Sequence, residues 1–321
     1  MKRTLLTILV LLLALPGTAR AAETDFASWL ADLRREAASQ GVPAETLNSA
    51  LRDLQPNPHI VELDNRQPET TLTLEQYLAK VVQPARIEKG RQLKFQNKAL
   101  LRAVSDRYGV PPKVIMALWA AESSFGDSMG TYRVVESLAT LAFDGRRPDL
   151  FRAELIAALK ILGRGDFSRD DLKGSWAGAM GQVQFMPSTY LHYAVNFEHS
   201  GQPDIWRNHG DVFASAANYL ATLGWKRDET WGREVKLPAR FSADMVGLPV
   251  QHTVSEWAAM GVRRLDGGKL PASTIHASVV APDGMQGRTF LVYDNFRTLM
   301  KWNHSTYFGL SVNLLADGIG N

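Results

Sequence analysis

Cysteine is absent from all 321 residues. That excludes disulfides, thiolate metal sites and a cysteine nucleophile. It also removes the residue that a lipid-anchoring signal would need, so the chain rests on packing alone. The seven histidines form no H-E-x-x-H metal pair. Long charge runs, low-complexity tracts and internal repeats are missing as well, which excludes a solenoid and a polyelectrolyte tail. The formal charge is only +3, and that excess sits in the first segment. "MKRTLLTILVLLLALPGTARA" has a basic start at Lys2 and Arg3, an apolar stretch and an Ala19-Arg20-Ala21 site. This is the pattern of a cleaved secretion signal, and its apolar stretch is short for a membrane span. Cleavage after Ala21 takes away three basic residues and no acids, leaving 33 residues of each sign. Such a balance excludes a nucleic-acid binder by composition. The expected mature protein is soluble in the periplasm, without a membrane anchor.

What is present points to a mainly helical chain with a small β portion. Hydrophobic residues make up 45% and charged ones 21%, enough to build a sizeable core. Residues 24–54 read as two helices split at Gly41-Val42-Pro43, and residues 55–72 as irregular. Thr73 to Val82 is a short helix carrying Tyr77, and Pro84 to Tyr108 one longer helix stopped by Gly109. Further helices are expected from Pro112 or Lys113 onward, over 133–143, over 149–163, from Pro187, over 211–223 and, closing the chain, over 305–319. The β-like runs "REVKLP", "STIHASVV" and "RTFLVYDNF" fall between 225 and 300, with a hairpin connection at "PDGMQG".

One carboxylate is oddly placed. In "MALWAAESSFGDSMG", residues 116–130, Glu122 closes an apolar run and a sharp turn follows. Val114, Leu118 and Glu122 are spaced i, i+4, i+8, so the acid points where the apolar residues point. Burial and the negative end of the helix dipole both disfavour its ionised form. A carboxyl kept protonated near neutral pH is what a general acid needs. The overlapping "GDSMG" fits G-x-S-x-G, yet a nucleophile elbow requires a strand before the serine and here a helix precedes Ser128. "NFEHSGQPDIW", residues 196–206, has the spacing of a calcium loop with its acids worn away. Asn196, Glu198 and Ser200 occupy ligand positions, Gly201 keeps the turn glycine, and Asp211 adds a carboxylate. Residues 174–225 are rich in aromatics. Each of these taken singly reads as core, and some are suited to stack on sugar rings.

Four stretches together carry a resemblance: "VPPKVIMALWAAESSFGDSMGTYRVVESLATLAFDGRR", "GSWAGAMGQVQFMPSTY", "DIW" followed by "ASAANYLATLGW", and "KWNHSTYFGLSVNLLADGI". They resemble the lytic murein transglycosylase B family over residues 25–318, nearly the whole mature chain. The resemblance implies a mainly α (α+β) fold. A lysozyme-like catalytic core (95–230, with Glu122) is joined by an additional helical subdomain (22–94) and a small β-containing subdomain with a closing helix (231–321) around a glycan-binding groove. It implies cleavage of the β-1,4 bond between N-acetylmuramic acid and N-acetylglucosamine in peptidoglycan glycan strands, leaving a 1,6-anhydro-muramic end. Carried over by position, the catalytic acid falls on Glu122, and the sugar contacts fall on Tyr77, Ser175, Gln184, Phe185 and Tyr219. Two more fall on Trp302 and Phe308, where a tyrosine is usual; both changes lose a phenol hydroxyl. No cofactor is implied. Calcium at Asn196, Glu198, Ser200 and Asp211 is left in doubt by the depleted acids. Cell-wall synthesis or division proteins are the partners such an enzyme would have.

Ordinary glycosidases use two carboxylates, whereas this chemistry needs one, first as acid and then as base. Asp127, Glu136 and Asp144 are the nearest second carboxylates in sequence, and they are expected to be structural or solvent-facing. Were one of them to flank the groove opposite Glu122, a hydrolytic muramidase would be the reading instead. A non-catalytic peptidoglycan-binding scaffold is the third alternative.

Overall fold

The computed structural model describes residues 17–66, 72–198 and 201–320, with side chains from Asp25 onward. The side chains of the expected leader, residues 1–21, lie outside that range. The chain is mainly helical, with small antiparallel sheets. It begins with α1 (Gly17–Ser39) and α2 (Ala44–Ala50), parted at Gly41 as the sequence predicts. The irregular segment expected over 55–72 is corrected in its first half, which forms α3 (Pro58–Asn65). The Asn57 side chain accepts the His59 N–H and Pro58 takes the first helical position, so residues read as breakers start a helix instead. Next come α4 (Leu74–Val81), with a capping box between Thr73 and Gln76, then α5 (Pro84–Gln96) and α6 (Lys98–Tyr108). These last two replace the single expected helix. The break falls at Asn97, whose side-chain amide turns back to the Leu93 carbonyl at 2.9 Å.

The central elements follow: α7 (Pro112–Ser123), β1 (Tyr132–Arg133), α8 (Val134–Asp144), α9 (Pro148–Leu162), β2 (Lys173–Gly174), α10 (Pro187–Tyr193) and α11 (His209–Thr222). Helix α7 is buried all round from Val114 to Ala120, packed among α5, α6, α11 and a late helix. A helix that is apolar on every side is a core helix. The i, i+4, i+8 face therefore does not by itself aim Glu122; its place at the exit from the core does.

The remainder is β3 (Gly232–Lys236), β4 (His252–Thr253), α12 (Val254–Ala259), β5 (Arg263–Arg264), β6 (His276–Val280), β7 (Thr289–Val292), α13 (Asp294–Met300) and α14 (Thr306–Ile319). The strands form one antiparallel sheet in the order β4-β6-β7-β3-β5, with Val279 opposite Leu291. The β6–β7 connection is the expected turn, and it docks on α4: Asp283 accepts the Leu74 N–H at 2.8 Å and the Tyr307 hydroxyl. The closing helix α14 leaves the sheet and packs on α7, so Val312, Leu315 and Ile319 share one core with Phe26, Leu118 and Leu138. Among the described residues, no helix is long and apolar enough to cross a membrane.

Candidate active site

Glu122 stands in the last turn of α7, and the chain leaves that turn through three consecutive left-handed residues. Ser124, Phe125 and Gly126 have φ of 52°, 65° and 86°. Two of them are not glycine, and such positions persist only where their surroundings over-determine them. Here the determinants are visible. Ser123 Oγ donates to the Gln182 carbonyl at 2.7 Å and accepts the Gly126 N–H at 3.0 Å. A Cβ at position 126 would lie 2.6 Å from Gln182 Oε1. That oxygen already accepts the Trp119 indole N–H at 2.7 Å, and the same amide donates to the Trp206 carbonyl at 2.7 Å. Buried Gln182 is thus the hub on which the turn after Glu122 rests. The resemblance singles out Gln184, two residues on, and local sequence carries no signal for Gln182.

The carboxyl itself meets an indole. Trp302 Nε1 donates to Glu122 Oε1 at 2.7 Å, across 180 residues of sequence. Trp302 packs on Phe185 and Tyr219, with ring centroids 5.3 and 4.9 Å away. Phe185 and Tyr219 are themselves almost wholly buried, and the Tyr219 hydroxyl is taken up by the Lys301 carbonyl at 2.6 Å. Glu122 keeps a partly exposed edge, but its carboxyl is enclosed. Burial pushes its pKa up to about 7, and the Trp302 N–H pulls against that rise. Among the described residues no neighbouring carboxylate contributes to the shift. The Tyr77 phenol on α4 is raised mainly by burial, with a smaller contribution from the charge of Glu122.

The other residues singled out in the sequence divide. Gln184, at φ 49°, lines a small open cleft with Phe185, Met186, Thr189, Tyr219 and Trp302, and its amide donates to the Met129 and Gly181 carbonyls. Ser175 follows β2, half-buried, and its Oγ accepts the Ala179 N–H at 3.1 Å. Phe308 is 8% exposed in the core at the start of α14. The three other acids are engaged elsewhere or lie in solvent: Asp127 pairs with Lys89, Glu136 accepts the Asn57 amide at 3.1 Å, and exposed Asp144 ends α8. Ser128 of the G-x-S-x-G sequence is exposed and follows a helix, so no nucleophile elbow exists there. A larger recess of about 730 Å³ lies between α4 and the sheet, where Arg288 forks onto Glu234 at 3.0 and 2.7 Å; it is not the groove of Glu122.

The calcium-like loop stands apart from the groove, at the N-terminal end of α11. Its donors suit the chain better than a cation. Both oxygens of Asp211 accept backbone N–H groups, from Phe197 at 2.8 Å and Asp204 at 2.7 Å. Asp204 Oδ1 accepts from the Trp206 and Arg207 N–H groups at 3.0 Å. Counted from Asn196, the twelfth position, where a calcium loop needs a bidentate acid, is Arg207, and its guanidinium pairs with Asp171 at 2.9 Å. Glu198 is exposed, and Ser200 lies outside the described residues. The described residues of this loop do not present the donor set of a calcium loop. Calcium should leave the thermal midpoint unchanged in a melting experiment. Asp211→Asn should destabilise the fold by about 1–3 kcal/mol, because the amide cannot accept at both positions.

A family model described as the transglycosylase SLT domain matches residues 25–317. Membrane-bound lytic murein transglycosylase B of Escherichia coli (strain K12) is 33% identical over 251 residues, 76% of this chain and 66% of that protein. The match thus spans just under two thirds of that relative's length. The structure of SltB3 from Pseudomonas aeruginosa in complex with NAG-anhNAM-pentapeptide superposes with a TM-score of 0.89 at 43% identity, over 92% of this chain and 79% of that one. The Escherichia coli lytic transglycosylase Slt35 in complex with calcium superposes with a TM-score of 0.77 at 28% identity, over 92% of each chain.

Proposed function

Because this chain belongs to the transglycosylase SLT-domain family, we propose that it is a peptidoglycan lytic transglycosylase in which Glu122 is both acid and base. The bond cleaved is the β-1,4 link from N-acetylmuramic acid to N-acetylglucosamine, and the product end is 1,6-anhydro-muramic acid. One observation carries this reading: a single enclosed carboxyl with a pKa of about 7, bonded to Trp302, which lines an open cleft with Gln184, and with no second carboxylate among the described residues acting on it. The related SltB3 structure holds an anhydro-muramic ligand, the kind of end this chemistry leaves.

In the first half-reaction protonated Glu122 gives its proton to the glycosidic oxygen, and the C1–O bond breaks with its electron pair on that oxygen. The 2-acetamido group of the muramic ring supports the positive charge at C1, as in substrate-assisted glycosidases. In the second half ionised Glu122 takes the proton of the C6 hydroxyl as that oxygen closes on C1. No water is consumed. The left-handed turn through Ser124, Phe125 and Gly126 ends α7 directly after the carboxyl. We assign Tyr77, Ser175, Gln184 and Trp302 to sugar contacts. Phe185, Tyr219 and Phe308 back them, since little of their surface is left exposed. Calcium enters no step. The leader pattern puts the work in the periplasm.

The acid must be protonated to start. Cleavage of purified peptidoglycan should therefore be flat below a pH of about 7 and fall tenfold per unit above it, until the enzyme is spent. The assay is release of soluble muropeptides against pH, with mass spectrometry of the ends. Ends that are all reducing would refute the transglycosylase reading.

A further inference from the structure

Resting on the role just proposed for Glu122, we infer that Trp302 is a positioning residue that gives the two carboxyl oxygens separate jobs. It holds Oε1 as a fixed acceptor and leaves Oε2 to carry the proton that the reaction moves. Indole N–H is a donor and nothing else, and it points at Oε1 from 2.7 Å. In a protonated carboxyl the carbonyl oxygen is the better acceptor, so this bond selects the form with the hydroxyl on Oε2.

The indole is in no position to swing away. Phe185 and Tyr219 pack on its ring at 5.3 and 4.9 Å. The segment beneath is tied down three times, twice through its backbone and once through the Lys301 side chain. The Trp302 N–H donates to the Leu299 carbonyl at 3.0 Å, the Lys301 carbonyl accepts the Tyr219 hydroxyl at 2.6 Å, and Lys301 Nζ donates to the Leu223 carbonyl at 2.8 Å. This rigidity lets one N–H serve both half-reactions. When Oε2 protonates the leaving oxygen, the bond to Oε1 becomes charge-assisted and stronger. When the C6 hydroxyl returns its proton to Oε2, the bond relaxes. One proton leaves Glu122 and one comes back.

Other titratable groups stand around this end of α7. The phenols of Tyr77 on α4 and Tyr219 on α11 are raised by burial, and that of Tyr307 on α14 by its bond to Asp283. The His209 imidazole on α11, against Trp119, is lowered by burial. Lys89 on α5 is paired with Asp127.

The test is kcat and KM against pH for the full chain on a defined glycan tetrasaccharide. Trp302→Phe keeps the ring stack and deletes the donor. Its alkaline limb should move up by about one to two pH units, the worth of one hydrogen bond to a charged group. Below the limb kcat should fall about tenfold, a larger change than any in KM. Trp302→Tyr, which restores a ring-borne donor, should move the limb back toward wild type. Should Trp302→Phe fail to fold, wild-type chain carrying fluorinated tryptophan, with its more acidic N–H, should shift the limb downward. A limb that stays put in Trp302→Phe, or under fluorination, makes Trp302 a sugar platform only and overturns the inference. Anhydro ends from the wild type would still uphold the underlying activity in that case. Activity surviving Glu122→Gln would instead remove the activity's basis and this inference with it.

Discussion

Glu122→Gln should cut glycan cleavage by at least about 10³-fold and leave substrate binding intact. A positioned general acid contributes roughly 10²–10⁴-fold, and here the same group serves two proton transfers, so the loss belongs at the upper end. Glutamine keeps the shape and still offers Oε1 to the Trp302 N–H, so the groove survives. The same variant should gain stability in alkaline solution. The folded pKa of Glu122, about 7, lies above its unfolded value, so the folded state binds the extra proton. Its contribution is fully present below a pH of about 4, fades as pH rises, and is gone above about 7. Above that point the wild type bears the cost of an enclosed charge, and the glutamine variant does not. The expected advantage is about 3–4 kcal/mol at high pH, shrinking to nothing toward pH ~4. Denaturant titrations at both extremes, beside product analysis, check both halves. A variant with near wild-type cleavage would take Glu122 out of the acid role.

Gln182→Leu should destabilise the fold by about 3–4 kcal/mol, although leucine nearly conserves volume. The side chain is 5% exposed and satisfies two buried groups at once, the Trp119 N–H and the Trp206 carbonyl, each at 2.7 Å. Leucine strands both, and a stranded buried group costs about 1–3 kcal/mol. Activity should fall with stability. Ser123, the residue after Glu122, is bonded to the Gln182 backbone, and Gly126 rests against its side chain. Loosening this hub lets the left-handed turn relax and the acid drift. An angstrom-scale misplacement of that kind costs on the order of 10²-fold in rate. Urea unfolding and kcat/KM would be measured together. A change within about 0.5 kcal/mol, the range of ordinary surface substitutions, would show that Gln182 is not the hub.

The sequence carried the fold where local chemistry decides it. The α1–α2 break, the β6–β7 turn and the start of α10 all follow from glycine or proline at positions that need them. It misled where the same residues have two uses. Asn57-Pro58 read as breakers, yet a side-chain cap followed by proline at the first position begins α3. Helix α12 went unforeseen although its capping box, Thr253 with Glu256, is a local signal. Glu122 was legible as an acid ending an apolar run. The i, i+4, i+8 face counted for less, because α7 is buried on every side. The partner of that acid could not be read locally, since no periodicity links positions 122 and 302. In "GQVQF" two glutamines alternate, and only packing tells which is the buried hub and which lines the cleft. The calcium-like loop retains its spacing while its carboxylates have been taken over by backbone N–H groups, a change that spacing cannot register.

The central claim is that one carboxyl gives a proton and takes it back while the sugar closes on itself. Digestion of peptidoglycan in water enriched in the heavy oxygen isotope tests it most directly, with the new muramic ends weighed by mass spectrometry. The account predicts ends lighter by one water than reducing ends and free of the label. Reducing ends carrying the heavy oxygen at C1 would mean that water, and not the C6 hydroxyl, completes the reaction, and would contradict it.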